Sequence, residues 1–139
     1  MPQGPDRIAA SFARQGMMRT LGARLEDIAP GRVVISAPIT PEVGQQHGVA
    51  HAGLTFAIGD SAAGYSALSL MDETAEVMTV EMKINLLAPA DGTRLIATGE
   101  VVKPGRRLVI VRATVAVERT DGTSRDVALL QGTMIPVTT

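Results

Sequence analysis

The sequence predicts an α+β fold in which a curved antiparallel sheet wraps around one long central helix. Three observations lead there. Residues 52–70 form an apolar stretch rich in Ala and Gly, the composition of a helix that other elements approach closely. The chain after it changes to a period of two, the signature of strands. Pro, Gly and Asp clusters then divide that second half into four short segments. An antiparallel sheet with one apolar face needs cover, and 52–70 is the only segment large enough to provide it.

The elements follow in order. Ile8, Ala9 and Phe12 fall at helical spacing and predict a short amphipathic helix over 5–16. Leu21, Ala23 and Leu25 alternate with polar residues and predict a strand. Ala29-Pro30-Gly31 turns it, and Arg32 to Ile39 returns. The central helix comes next. Met78, Val80, Met82, Ile84 and Leu86 then alternate with Thr79, Glu81, Lys83 and Asn85, which puts Thr79 on the polar face of a half-buried strand. Pro89-Ala90-Asp91-Gly92, Lys103-Pro104-Gly105 and Asp121-Gly122 separate this strand from three more, Arg94–Val102, Leu108–Glu118 and Asp126–Pro136. Short connections predict that the four pair as a meander.

Composition limits the function. A chain of 139 residues is most simply one domain, 1–139, and is long enough to bury a core. A net charge of −1 gives no nucleic-acid footprint, and 2% aromatic residues leave little for base stacking. Without cysteine there is no disulfide or thiolate chemistry. Segment 52–71 is too polar to span a membrane, and the N-terminus lacks a signal-peptide pattern, so a cytoplasmic protein is expected.

Asp60 carries the most chemistry. From Val43 to Met71 it is the only Asp, Glu, Lys or Arg. A carboxylate in a buried helix is costly to desolvate, and burial raises its pKa toward the range of a working base or nucleophile. Just upstream, Gln45-Gln46-His47-Gly48-Val49-Ala50-His51-Ala52-Gly53 is polar and glycine-rich. It leads into the helix, whose first backbone N–H groups are free to bind developing negative charge. One short segment thus supplies an acid/base group and a candidate oxyanion site. His47 and His51 are four apart, but Gly44 and Gly48 favour a loop over the helix that metal ligation at that spacing needs. His51 suits a ring hydrogen bond that fixes the loop. Lys103, Arg106 and Arg107 cluster at a turn, either as solvated charge or as a phosphate contact.

These residues resemble a known family. His51-Ala52-Gly53, Asp60 seven residues after Gly53, Thr79-Val80-Glu81-Met82-Lys83-Ile84-Asn85-Leu86-Leu87-Ala88-Pro89 and Lys103-Pro104-Gly105-Arg106 are together similar to the hotdog-fold acyl-CoA thioesterases of the PaaI-like type, from about Met18 to Val137. The resemblance implies hydrolysis of acyl-CoA to a free acid and coenzyme A, with no metal or redox cofactor. It implies that Asp60 is nucleophile or general base and that the Ala52 N–H polarises the thioester carbonyl. It further implies that Gln45 helps place substrate or water and that Thr79 lies near the site. His51, Gly53, Gln46, His47, Lys103, Arg106 and Arg107 are then expected around the substrate. Sites shared between subunits of a homodimer, often doubled to a homotetramer, are implied as well. Here Ala52 stands where Gly is commoner, which keeps the backbone donor and adds a methyl. Gln45 stands where Asn is common.

Two other functions fit the same segment. A hydratase or dehydratase on acyl thioesters would need a His beside the helix carboxylate. A non-catalytic acyl-CoA-binding module would gain nothing from a buried charge.

Overall fold

The computed structural model describes residues 3–138. Two short helices open it, α1 (Pro5–Arg14) and α2 (Gly16–Thr20). They are separated at Gln15, whose backbone is extended, so the one helix expected over 5–16 divides there. Ile8 and Met18 anchor the pair in the core. Leu21 and Gly22 form a turn, so the first strand starts later than the alternation at Leu21 suggested. It is β1 (Arg24–Ala29), paired with β2 (Arg32–Pro38) across a turn in which Gly31 takes a φ of 73°.

A 3-10 turn (Pro41–Val43) leads to α3 (Ala52–Leu68). Four strands follow: β3 (Ala75–Leu86), β4 (Arg94–Pro104), β5 (Val109–Glu118) and β6 (Ser124–Thr138). All pairs are antiparallel in one six-stranded sheet of order β1-β2-β4-β5-β6-β3.

This order corrects the four-strand meander. β4, β5 and β6 do form one, but β3 lies beyond β6 on the far edge, paired from Ala75↔Thr138 to Leu86↔Ala128. The physical reason is the connection after β3, which is not a tight turn. Leu87 N–H donates to the Val127 carbonyl, and the Ala90 carbonyl accepts from Ala50 N–H. The chain is thereby carried past the start of α3 to the opposite side of the sheet, where β4 pairs with β2.

α3 packs against β2, β4 and β5 with Leu54, Ile58, Ala62 and Leu68 buried. Small residues set the distance. Gly99 of β4 lies directly under the Ala62–Ala63 peptide, where a Cβ would overlap the backbone. Gly59 of α3 accepts the Leu130 side chain in the same way. One stripe of α3 stays uncovered: Ala52, Gly53 and Phe56 are exposed, and Asp60 and Ser61 are half-buried. Phe56 is the one large apolar side chain on that stripe.

The regular alternation in β3 conceals a bulge. The register shifts between Thr79 and Glu81, so Val80 is an extra residue in the ladder. Val77 packs on the core before it, and Met82 and Ile84 pack on the core after it. Met78 and Val80 are more than half exposed, at 58% and 55%. Thr79 therefore points toward α3 and not outward. Gly132 of β6 faces the bulge, where a Cβ would overlap the Glu81 carbonyl.

The packing predicts opposite effects at two glycines. Gly99→Ala should destabilise by about 1–3 kcal/mol or more through overpacking. Gly64→Ala, whose new methyl would meet the flexible Met134 end at 3.7 Å, should be neutral or stabilise by up to about 1 kcal/mol through helix propensity. Urea unfolding of both variants measures the contrast.

Candidate functional site

Asp60 sits on the uncovered stripe of α3 and turns toward β3. Thr79 Oγ1 donates a hydrogen bond of 2.7 Å to its Oδ1 and lies 3.3 Å from Met134 Sδ. Burial pushes the Asp60 carboxyl above the usual Asp range, and the Thr79 hydrogen bond pulls part of the way back. No cation contributes. The bulge at Val80 makes the Thr79 contact possible, because it turns that side chain to the helix. Asp60 opens on a pocket of about 170 Å³ shared with Thr79, Ser61, Tyr65, Gln15 and Ser11.

The start of α3 forms a second centre. His51 is the N-cap residue, and its Nδ1 accepts from Gly53 N–H at 2.7 Å. An accepting Nδ1 carries no proton, so the ring proton is on Nε2. Leu54 N–H donates to the His51 carbonyl at 3.0 Å. Ala52 N–H is the first of the helix and has no intrahelical acceptor. Two of the three leading donors are thus engaged by His51, and the Ala52 N–H has no acceptor among the described residues.

Ala52, His51, Gln45 and Gln46 line a larger pocket of about 550 Å³, closed on the far side by Leu86, Leu87 and the Ala88–Ala90 segment. Gln45 is held in a tight loop. Its side-chain Oε1 accepts from His47 N–H, and its backbone N–H donates to Val49 at 2.8 Å. Gly48 takes a φ of 84° in this loop. His47 and His51 therefore share no helical face. Among the described residues no three His, Cys, Asp or Glu side chains are placed to hold a metal.

The fold separates what the sequence places in one segment. Ala52 and Asp60 are eight residues apart on one helix, roughly 12 Å along its axis, and they open on different pockets. Gly53 and His47 line neither pocket, and Gly53 is occupied by the cap. Lys103, Arg106 and Arg107 are exposed at the β4–β5 turn and also line neither. Gln15, Ser11 and Ser61 stand beside Asp60 without having been expected there. Nothing in the local sequence marks Ser11 and Gln15, since they meet Asp60 only through the tertiary fold, whereas Ser61 directly follows Asp60 in α3. Tyr65 is buried but presents its hydroxyl to Ser11 and Gln15 in the same pocket.

The sequence profile of the thioesterase superfamily matches residues 47–123, which include His51, Ala52, Asp60 and Thr79. The chain belongs to the thioesterase superfamily. A thioesterase family protein from Silicibacter pomeroyi is 46% identical, with a TM-score of 0.93 over 96% of this chain and 97% of that one. The PaaI protein of E. coli, from its phenylacetic acid degradation operon, shares the fold at 20% identity. Its TM-score is 0.82 over 94% of this chain and 91% of that one. The 1,4-dihydroxy-2-naphthoyl-CoA hydrolase of Listeria monocytogenes is 25% identical over 91 residues, 66% of this chain and 74% of that protein. The sheet wrapped around α3 is the hotdog fold of these thioesterases, as the resemblance implied, and thioester hydrolysis is the family's chemistry. No helix among the described residues is long and apolar enough to cross a membrane.

The raised Asp60 carboxyl has a sign that stability measurements can read. The unfolded chain ionises this group near the ordinary value of 3.8, before the folded chain does. Between the two values, rising pH costs the folded state stability. Asp60→Asn removes that cost and keeps an oxygen for Thr79 to donate to. The variant should be more stable than the parent at neutral pH, and its advantage should vanish below about pH 3. Calorimetric Tm values for both proteins across pH 3–8 give the comparison.

Proposed function

We propose that this thioesterase hydrolyses acyl-CoA in the cytoplasm at a site completed by two copies of the chain. The observation that carries this reading is the placement of two incomplete centres on one uncovered helix stripe. One offers a free helix-terminal N–H without a base, and the other a base without a helix-terminal N–H. Phe56 lies midway between Ala52 and Asp60, and beside this stripe β3 is an unpaired sheet edge with Met78 and Val80 exposed. A two-fold axis near Phe56 would pair the β3 edges and bring Asp60 of each copy to Ala52 of the other. It would also cover the exposed apolar side chains.

In that site the thioester carbonyl oxygen accepts from Ala52 N–H at the positive end of α3. A preorganised donor there stabilises the oxyanion as it forms. Asp60 then takes a proton from water as the water attacks the carbonyl carbon, or attacks directly to give a mixed anhydride that water opens. Either way the C–S bond breaks, coenzyme A leaves as its thiol, and the acyl group leaves as a carboxylic acid. Thr79 aims the carboxylate and favours its charged form. Gln45 bounds the approach to Ala52 and orients water or substrate. Lys103, Arg106 and Arg107 are free to meet the coenzyme A phosphates. A hydratase has less support, because His51 Nδ1 is committed to the helix cap and neither His lines the Asp60 pocket.

Ala52→Pro tests the donor. Proline is tolerated at the first helical position, and His51 already has the extended backbone, φ −64° and ψ 142°, that a residue before proline adopts. The variant should fold normally and lose about 10²–10³-fold in kcat, the worth of one oxyanion donor. Asp60→Asn should lose about 10²–10⁴-fold in kcat with KM little changed. A thiol-release assay over aryl, short, medium and long acyl-CoAs reads both. Near-normal kcat in either folded variant would remove that residue from the mechanism.

Thr79→Val tests the tuning of the base. It deletes the hydrogen bond that lowers the Asp60 pKa and leaves the burial that raises it. The acid limb of the kcat/KM profile should therefore move to higher pH. An unmoved limb would separate Thr79 from the titration of Asp60.

A further inference from the structure

We infer that the N-terminal helices make this enzyme selective for a compact acyl group that carries a hydroxyl or oxo oxygen, and that Gln15 reads that oxygen. The inference rests on the acyl-CoA hydrolase reading above. Its starting point is the pocket beside Asp60, which is small, about 170 Å³, and lined on its α1 side by polar groups. Gln15 lies at the break between α1 and α2, and its side chain bridges two positions of α3. Nε2 donates to Tyr65 Oη at 3.1 Å, and Oε1 accepts from Ser61 Oγ at 3.2 Å. Ser11 Oγ lies 3.1 Å from the same Tyr65 hydroxyl. Tyr65 is 5% exposed and is held by tilted packing on Phe12, ring centres 6.2 Å apart.

This network has capacity to spare. Gln15 Nε2 has two N–H bonds and uses one on Tyr65. Each hydroxyl oxygen has two lone pairs, and Ser61 Oγ uses its proton on Gln15. An acyl oxygen entering the pocket can accept from the second Gln15 N–H, and a hydroxyl can also donate to Ser61. A bare hydrocarbon would strip water from these groups and return nothing. Ser61 is next to Asp60, and Tyr65 is one turn farther. Side chains one turn apart are about 5–6 Å from each other. An oxygen about four bonds from the thioester carbonyl carbon would span that distance. The roof is fixed in place, since Arg7 of α1 donates to the carbonyls of Met71, Asp72 and Ala75. Ser11 and Gln15 lie outside residues 47–123, the segment matched by the family profile, and Ser61 and Tyr65 lie inside it.

The test compares kcat/KM within two matched pairs, butanoyl-CoA against 4-hydroxybutanoyl-CoA and pentanoyl-CoA against 4-oxopentanoyl-CoA. The parent enzyme should prefer the oxygenated member of at least one pair by about tenfold, the worth of one hydrogen bond. The hydroxyl pair reports donation and acceptance together, and the oxo pair reports acceptance alone. Gln15→Met and Tyr65→Phe should each reduce the preference to threefold or less, on the order of half a hydrogen bond. They should do so by slowing the oxygenated substrate and sparing the plain one. A purely structural role would slow both members alike. If one variant fails to fold, the other carries the comparison. Equal rates within both pairs for the parent, or a preference that survives in the folded variants, would overturn the inference and leave thioester hydrolysis standing. No thiol release from any acyl-CoA would overturn the underlying reading as well.

Discussion

Gly99 of β4 lies directly against the Ala62–Ala63 peptide of α3, with no room for a Cβ between them. Backbone meets backbone there with no side chain between. Close packing at that point draws the whole helix down onto β2, β4 and β5 and lets the sheet curl around it. With one side of α3 so deeply engaged, its other side is left facing the β3 edge. The site elements lie on this second side. Ala52, Phe56 and Asp60 share a stripe because they are four residues apart on a helix that the core has fixed in rotation. Bulkier residues at Gly99 or Gly59 would lift the helix, and the carboxylate would lose its depth and its Thr79 partner together.

The electrostatics follow from the same depth. Asp60 is sunk far enough to feel desolvation and not far enough to lose contact with a pocket. One neutral donor, Thr79, moderates the cost where a cation would have neutralised the charge and lowered its basicity. At the other end of the stripe, His51 satisfies the Gly53 donor with its ring and the Leu54 donor with its carbonyl. Capping therefore does more than end a helix here: it selects which donor stays available. The two ends are about 12 Å apart along the axis and open on different pockets.

Much of the fold and part of the site were legible in sequence, for reasons that differ by element. The helix was readable because its residues are mostly small and apolar, and Asp60 because it is the only charged residue among them. Strands β2, β4, β5 and β6 were readable from alternation and turns. The place of β3 was not, since pairing with β6 depends on a connection whose hydrogen bonds to Ala50 and Val127 are long-range. The orientation of Thr79 was misread because a bulge leaves the apolar–polar alternation intact while reversing its sense. Gln15 was invisible because the α3 residues it meets, Ser61 and Tyr65, lie 46 and 50 positions away in sequence. Lys103, Arg106 and Arg107 were easy to see as a cluster, yet one chain gives them no pocket.

The bulge at Val80 makes β3 a strand with two phases. Up to Thr79, odd-numbered side chains face the helix; beyond it, even-numbered ones do. Loss of Val80 would merge the phases without moving Thr79, because Thr79 and Glu81 already sit opposite consecutive residues of β6, Met134 and Thr133. The shortened strand would keep Thr79 on the helix side and its hydrogen bond to Asp60. Straightening the strand with Val80 retained would have the opposite effect: regular alternation back from Met82 and Ile84 would put Val80 against the helix and turn Thr79 outward. A related chain one residue shorter here would therefore keep both the architecture and the partner of its acid, whereas one of equal length that irons out the bulge would present a hydrocarbon side chain to the carboxylate.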